Sequence, residues 1–303
     1  MEHAQQESLK WGVAAGAATA LLYLLSVSGG FFSLLIAYTP LVPLLAAGLS
    51  QGVRAVGIAA LIAIFVAGLA AGLSGMLVFG LLYGTPAIIF THIVLTHISE
   101  ERWYPVGGAL TGLSIYSAII VGFFMVVIMG NDVSLTESLN ALDSEQSPLL
   151  EQAHMLLEKA PFIVFALGAW IQILMFYAIA VFANYMLKGW DLQRRSYLRL
   201  TPFMPSTLVL GAMLVAGLIS FSPSLAVSMA GKTAFLVLLL PYFLVGIARM
   251  HARAKEWPNA RLWLSVIYAL TVLVFWPVFW FIGAGIVEQA KFLSNRHGGG
   301  TEQ

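Results

Sequence analysis

Long apolar segments follow one another along most of this chain. Stretches of roughly 20 mostly apolar residues recur from Trp11 to Ala290, separated by short polar stretches. A helix needs about 20 such residues to cross the hydrocarbon core of a bilayer, which is roughly 30 Å thick. Open strands would leave backbone groups unpaired in lipid. The pattern therefore predicts an all-α, polytopic integral membrane bundle.

The composition agrees with a membrane protein. Charged residues make up 10% of the 303 residues and hydrophobic residues make up 60%, whereas a soluble domain carries about 25% charged residues. The net charge of +1 gives no global field that would attract nucleic acid. Because the chain has no cysteine, disulfides, thiolate metal ligands and cysteine nucleophiles are excluded.

The hydropathy pattern predicts nine apolar segments and a bundle of eight or nine transmembrane helices. The segments are Trp11–Val27, Phe31–Ser50, Ala55–Ser74, Met76–His97, Val106–Gly130, Phe162–Leu187, Pro205–Phe221, Ala226–Ala248 and Leu262–Ala290. The last is interrupted at Trp276–Pro277, where proline breaks or kinks a helix. One kinked helix would place the C-terminus outside, whereas two half-helices would return it to the inside.

The distribution of positive charge predicts the orientation, because Lys and Arg collect on the cytoplasmic side. With a cytoplasmic N-terminus, eleven of the fifteen Lys and Arg residues fall inside. They are Lys10, Arg54, Arg102, Lys188, Arg194, Arg195, Arg199, Arg249, Arg253, Lys255 and Arg261. The longest outer loop is acidic and carries Lys159 alone as a cation. The sequence therefore predicts a multi-pass inner-membrane protein with a cytoplasmic N-terminus.

We expect one membrane domain over the whole chain, with four parts. These are a five-helix half (1–130), an acidic extracytoplasmic loop (131–160), a C-terminal half (161–290) and a disordered tail (291–303). Within the loop, Ser147–Pro148 provides a cap and a first-turn proline for a short amphipathic helix. That helix is either a packed connector or a lid over a cavity.

Four polar residues are the predicted ligand contacts. Lys232 lies about a turn or two inside a span, where charge is costly and often functional. It either snorkels to the outer interface or faces a cavity. Tyr38 lies beside the prolines of the second span, and broken helices often mark transporter binding sites. Gln172 and Asn184 in the sixth span need hydrogen-bond partners, from neighbouring helices or from a ligand.

The sequence contains no motif that predicts catalysis. The run Ala226–Thr233 fits a loose phosphate-binding loop, but that motif requires a preceding strand and a soluble nucleotide domain. His92 and His97 are five residues apart, so they do not share a helix face. We therefore expect no enzymatic activity, no catalytic residues, no metal and no cofactor.

Proline, glycine and aromatic landmarks along almost the whole chain resemble those of the YybS-like family. They include Tyr38–Leu44 (YTPLVPL), Tyr83–Ala87 (YGTPA) and Pro241–Ala248 (PYFLVGIA). These are bacterial polytopic membrane proteins, classed as a domain of unknown function. The resemblance implies distant kinship with substrate-binding components of energy-coupling-factor vitamin transporters. Such components dock a coupling subunit through small residues of the first span, a spacing that Ala14 and Ala18 also have.

Two functions are consistent with these features. The first is a small-molecule-binding or transport-related component, with a cavity among the kinked second, fourth and sixth spans. The second is a non-transporting scaffold or regulator. Its basic inner loops, Lys188–Arg199 and Arg249–Arg261, would meet a cytoplasmic partner or anionic lipid. The expected partners are the lipid bilayer and a membrane or cytoplasmic subunit, without nucleic acid.

Overall fold

The computed structural model describes residues 2–27, 36–96, 106–130, 160–189 and 204–298. Within these ranges the regular elements are helices and no strand occurs. In chain order they are α1 (Glu2–Val27), α2 (Leu41–Gln51), α3 (Val53–Phe79), a π-helix (Gly80–Gly84), α4 (Thr85–Thr96), α5 (Val106–Gly130), α6 (Pro161–Gly189), α7 (Thr207–Ile219), α8 (Leu225–Leu238), α9 (Leu240–Ala254), α10 (Ala260–Val274) and α11 (Pro277–Gly298).

Five helical stretches in the described ranges are long and apolar enough to cross a membrane. They are Gln5–Val27, Val53–Thr96, Gly107–Gly130, Pro161–Lys188 and Leu225–Ala254. Shorter apolar helices cover Leu41–Gln51, Thr207–Ile219 and Ala260–Thr271. The predicted all-α class is confirmed, and the five long stretches have the length and composition of membrane spans.

The chain divides into two compact units. Unit 1 comprises Met1–Leu113 and Ile171–Arg199, and unit 2 comprises Ser114–Trp170 and Leu200–Gln303. The boundaries fall inside α5 and α6, so each of these helices contributes one part to each unit. The single membrane domain with four parts that the sequence suggests stays a prediction.

In unit 1, α1 packs along the first half of α3 through small residues. A Cβ added to Gly12 would lie 3.0 Å from the carbonyl oxygen of Ala55, and one added to Gly16 would lie 3.1 Å from the backbone of Ala59. Because the contacting residues advance together along both helices, α1 and this half of α3 run in the same direction. Close approach of small residues is the usual way in which helices associate in lipid.

The helix α3 reverses direction at Gly72. This glycine has φ of 66° and ψ of −156°, a conformation that other residues rarely adopt. Beyond it, Gly75 lies against the backbone of Ala67, and a Cβ added to Gly84 would lie 3.5 Å from the side chain of Ala60. As the chain advances beyond Gly72, it contacts residues of progressively lower number in the first arm of α3. The two arms therefore run antiparallel and form a hairpin. The third and fourth predicted segments are therefore separate, as expected.

In unit 2, α7 and α8 form a second hairpin. The hydroxyl oxygen of Ser206 caps α7 by accepting a hydrogen bond from the N–H of Leu208, at 3.3 Å. Across the turn, the hydroxyl of Ser228 donates to the carbonyl oxygen of Ser220 at 2.6 Å. A new helix, α9, begins at Leu240, with Pro241 in its first turn. Proline is well suited to this position because the first N–H groups of a helix have no internal acceptor.

The last predicted segment is two helices rather than one kinked helix. The first, α10, ends at Val274, and Phe275 follows in a left-handed conformation with φ of 57°. Pro277 then begins α11, which continues to Gly298 and so enters the tail that we expected to be disordered. The kinked-helix alternative is therefore wrong in this structure.

Other sequence predictions fall outside the described residues. The amphipathic helix expected from Ser147 lies there, together with the rest of the acidic loop over 131–159. His97 and most of the basic loop Lys188–Arg199 also lie there.

Candidate functional site

Tyr38 lies half-buried in the turn that precedes α2, where prolines interrupt the helix. The N–H of Leu41 donates to the carbonyl oxygen of Tyr38 at 3.1 Å rather than to that of Ala37. The freed Ala37 carbonyl instead accepts a hydrogen bond from the hydroxyl of Tyr83, at 3.0 Å. Tyr83 belongs to the π-helix, so this bond ties the proline turn to the fourth predicted segment.

Gln172 satisfies a carbonyl that a proline leaves without its α-helical donor. Leu82 lies four residues before Pro86, which has no N–H to complete the α-helical ladder. The side-chain Nε2 of Gln172 donates to the carbonyl oxygen of Leu82 at 2.8 Å. A helix interrupted in lipid needs such a partner from a neighbouring helix. The structure thus gives Gln172 a role within the fold.

Asn184 is buried in unit 1, 6% exposed, and is not without a partner. Tyr38, Gln172 and Asn184 therefore belong to unit 1, whereas Lys232 belongs to unit 2. The ligand-contact roles that the sequence suggested for these four residues stay predictions.

Unit 1 contains an apolar cavity of about 530 Å³ between α1, α2 and α6. None of the four predicted ligand contacts lines it. Thr39, next to Tyr38, does, so the cavity adjoins the proline turn. Its walls include Ala14, Ala18, Val42, Ala46, Phe182 and Met186. Small alanines on two helices leave the space, and aromatic and sulfur-containing side chains of α6 close one side.

Lys232 faces an aromatic cavity in unit 2. Its Nζ lies 5.8 Å from the ring centroid of Phe162, within range of a cation–π interaction. Phe221 and Phe235 also line this cavity of about 330 Å³. The surrounding sequence, Ala226–Thr233, is helical rather than a phosphate-binding loop. Lys232 therefore lines a cavity, and both alternatives for its role stay predictions.

Arg249 and Glu288 form an ion pair that the sequence analysis did not predict. Their Nη1 and Oε1 atoms lie 2.8 Å apart, with side chains 42% and 18% exposed. A glycine lies three residues before each partner, and Gly246 and Gly285 bring α9 and α11 into backbone contact. The signal in the sequence is that both helices carry a glycine followed three residues later by a charged residue, and that the two charges are opposite in sign.

The same crossing encloses further polar groups. Gln289 is 2% exposed and donates through Nε2 to the carbonyl oxygen of Pro205 at 3.4 Å. Its Oε1 and the buried hydroxyl of Tyr242 have no hydrogen-bond partner among the described residues. Buried polar atoms of this kind are unusual in native proteins, where nearly all have a hydrogen-bond partner.

His251 links α9 to α10. Its Nδ1 lies 3.1 Å from the carbonyl oxygen of Ile247, and the hydroxyl of Tyr268 lies 2.9 Å from Nδ1 and 3.0 Å from Nε2. With the proton on Nδ1, the ring can donate to Ile247 while Nε2 accepts from Tyr268. A cavity of about 400 Å³ lies beside this link, lined by His251 and Lys255 together with apolar side chains.

No family model, curated protein or solved structure matches this chain. The resemblance to the YybS-like family therefore stays a prediction, and the function is argued from the residues themselves. Within the described ranges, no three His, Asp or Glu side chains are grouped as metal ligands would be. The cavities described are mostly apolar, and the two in unit 2 each have a lysine in their lining.

Proposed function

We propose that the protein is a multi-pass protein of the bacterial inner membrane with eight spans and a cytoplasmic N-terminus. The bias of Lys and Arg towards one set of loops supports this orientation. The relative directions of neighbouring helices agree with it, since the first and third predicted segments run in the same direction. The first two-thirds of α8–α9 likewise runs with the start of α6, because Phe162 pairs with Lys232 and Trp170 with Leu236.

The ninth segment enters the membrane and returns as a hairpin. α10 has 15 residues, so it rises about 22 Å. The ion pair holds Glu288 level with Arg249, near the end of α9 from which α10 departs. From Pro277 to Glu288, α11 rises only about 17 Å. Both arms therefore start and finish at one end of unit 2.

Backbone N–H groups on both sides of Pro277 find acceptors within the tip of this hairpin, and irregular structure in lipid needs such bonds. The N–H of Trp276 donates to Val274 at 2.6 Å and the N–H of Val278 donates to Phe275 at 3.1 Å. Pro277 has no N–H to satisfy. The side chains around the tip are apolar and exposed, and Trp276 is 73% exposed. Such a tip is compatible with contact to lipid.

Labelling of single cysteines tests the hairpin, and the cysteine-free chain gives no background. Asn295→Cys should react with a membrane-impermeant maleimide in inverted vesicles but not in intact spheroplasts. Ser224→Cys, in the turn between α7 and α8, should show the opposite pattern. If both cysteines react in spheroplasts, the ninth segment crosses the membrane completely and the hairpin is wrong.

Within this topology, we propose that the protein binds a small apolar or amphiphilic molecule as a transport-related component. The observation that supports this is the cavity of unit 1, about 530 Å³, within the range of roughly 300 to 1,000 Å³ typical of ligand pockets. It lies between the first, second and sixth spans, beside a proline break. The resemblance to substrate-binding components of vitamin transporters points in the same direction.

Two adjacent alanines of α1 provide a matched test. Ala18 lines the cavity, whereas Ala17 is exposed and does not line it. Gently purified wild type and Ala17→Trp should retain the same small molecule by mass spectrometry of extracts, and Ala18→Trp should lose it. If all three proteins retain only the same bulk lipids, the binding function is refuted.

The alternative function is a non-transporting scaffold or regulator that binds a cytoplasmic partner through its basic inner loops. Its support is that Arg253, Lys255 and Arg261 have no ion-pair partner in the described ranges. Co-purification of a soluble protein with wild type, abolished by Arg253→Glu together with Arg261→Glu, would favour this function. If Ala18→Trp still retains that protein, its binding does not depend on the unit 1 cavity.

A further inference from the structure

We propose that the corner between α9 and α10 holds one anionic phospholipid. The site is the cavity of about 400 Å³ beside the His251–Tyr268 link. Its lipid-facing part is lined by Leu244, Ile247 and Leu264, and its polar edge by His251 and Lys255. A cavity with an apolar wall and a cationic edge matches an acyl chain joined to a phosphate. This proposal does not depend on the cavity of unit 1.

The charges of the corner are complementary to an anionic headgroup. Arg249 is neutralised by Glu288, but Arg253, Lys255 and Arg261 have no ion pair in the part of the chain that the structure describes. Glu256 is the single acidic residue between Arg249 and Arg261. A basic segment at the end of a membrane helix attracts anionic lipid, and each Lys or Arg near the surface contributes about fivefold in affinity.

The position of the corner suits a lipid headgroup. The Leu225–Ala254 stretch is apolar enough to cross a membrane, and the cavity lies at its C-terminal end. Trp257 and Trp263 are 39% and 51% exposed on either side of Pro258 and Asn259. Exposed tryptophans collect at the level of lipid headgroups, where the indole N–H remains hydrated. The cationic edge of the cavity therefore lies where phosphates of the bilayer lie.

The His251–Tyr268 link keeps the cavity open. Without this bond, α9 and α10 would be joined at the corner by the chain connection and few side-chain contacts. The imidazole of His251 has two partners, since Nδ1 lies near the carbonyl oxygen of Ile247 and both ring nitrogens lie near the hydroxyl of Tyr268. The histidine is therefore a positioning residue, and Lys255 is the group that faces the phosphate.

Native mass spectrometry of the full chain in neutral detergent tests the proposal. Phosphatidylglycerol and phosphatidylcholine with the same acyl chains are titrated separately. We expect one tightly retained phosphatidylglycerol per chain, bound at least about fivefold more tightly than phosphatidylcholine. Lys255→Gln should remove most of that preference. Arg54→Gln, which removes an exposed charge from unit 1, should leave it unchanged.

A second variant examines the apolar wall. Leu264→Trp fills the cavity without changing any charge, and we expect it to lower retention of both lipids at an unchanged melting temperature. If Leu264→Trp binds phosphatidylglycerol as wild type does, or if Arg54→Gln weakens binding as much as Lys255→Gln, the site is refuted. If millimolar inorganic phosphate displaces the lipid, the assignment to a phospholipid is overturned in favour of the free anion.

Discussion

Units 1 and 2 both contain broken helices, but they stabilise the breaks with different chemistry. In unit 1, neutral side chains donate to backbone carbonyls at the breaks: Gln172 donates to Leu82, four residues before Pro86, and Tyr83 donates to Ala37 in the turn before α2. In unit 2, the break before α11 lies beside a glycine crossing fastened by the Arg249–Glu288 ion pair. Neutral bonds tolerate full immersion in lipid, whereas an ion pair is stable near an interface where water reaches it.

The largest expected effect comes from the glycine crossing of unit 2. In Gly285→Ala, the new methyl group would overlap the backbone of Tyr242, which has no rotamer through which to move away. We expect a loss of about 3 kcal/mol or more in stability. The measurement is the temperature at which half of the detergent-solubilised protein leaves the monodisperse peak.

Gly283 provides the control on the same helix. A Cβ added there meets no atom within 4 Å, so Gly283→Ala should be neutral or slightly stabilising through its higher helix propensity. Equal melting temperatures for Gly283→Ala and Gly285→Ala would mean that α9 and α11 do not approach as closely as described. Unit 2 would then have no tighter crossing than unit 1.

A charge introduced into unit 1 tests whether its polar contacts must be neutral. Gln172→Glu replaces the donor to Leu82 by a carboxylate that faces a carbonyl oxygen. A charged side chain at the centre of a span costs about 2.5 kcal/mol, and we expect a loss of that size. Gln172→Leu, which loses only the hydrogen bond, should cost about 1 kcal/mol. Similar melting temperatures for the two variants would indicate that water or a cation reaches this site.

The ion pair of unit 2 should contribute less than its short distance suggests. Arg249 is 42% exposed, so solvent weakens its attraction to Glu288. In a double-mutant cycle of Arg249→Gln and Glu288→Gln, we expect a coupling energy of about 1 kcal/mol in thermal unfolding. Lys291→Gln, which removes an exposed charge from the same helix, should not couple with either variant. A coupling energy near zero would mean that the ion pair does not stabilise the crossing of α9 and α11, and that close packing at the glycines does.

The membrane class and several breaks of the fold were readable from the sequence because hydropathy and proline are local properties. Runs of apolar residues predicted the helices, and Trp276–Pro277 marked the site where α10 and α11 separate. Whether that break was a kink or an interruption was not local, since it depends on Phe275 adopting a left-handed conformation. The division of α5 and α6 between two units also depends on contacts distant in sequence.

The candidate sites could be predicted only in part, because the sequence shows which polar groups a side chain carries but not which atoms it contacts in the fold. Gln172 was predicted to need a hydrogen-bond partner. Its acceptor is a backbone carbonyl, which every residue has, so the residue type at position 82 does not identify it. Arg249 and Glu288 lie on helices separated by α10, so no local feature of the sequence pairs them. Cavities depend on packing between helices and have no signature in the sequence beyond small residues such as Ala14 and Ala18.

The smallest expected effect tests the explanation of the unit 1 contacts most directly. If Gln172 serves Leu82 because Pro86 has no N–H, restoring that N–H should make the glutamine dispensable. In the Pro86→Ala background, the backbone amide of residue 86 is available to the Leu82 carbonyl, as in a regular helix. Gln172→Leu should then cost close to nothing, against about 1 kcal/mol in the wild-type background.

The comparison of these two costs by thermal unfolding is a coupling energy, so any general effect of Pro86→Ala on stability cancels. Trp170 on the same helix offers a matched control, since its Nε1 donates to the carbonyl oxygen of Leu236 in unit 2. Trp170→Phe should cost the same in both Pro86 backgrounds. If Gln172→Leu also costs the same in both backgrounds, its hydrogen bond to Leu82 does not compensate for the missing N–H of Pro86. The contrast between neutral hydrogen bonds at the breaks of unit 1 and the ion pair of unit 2 would then lose its clearest example.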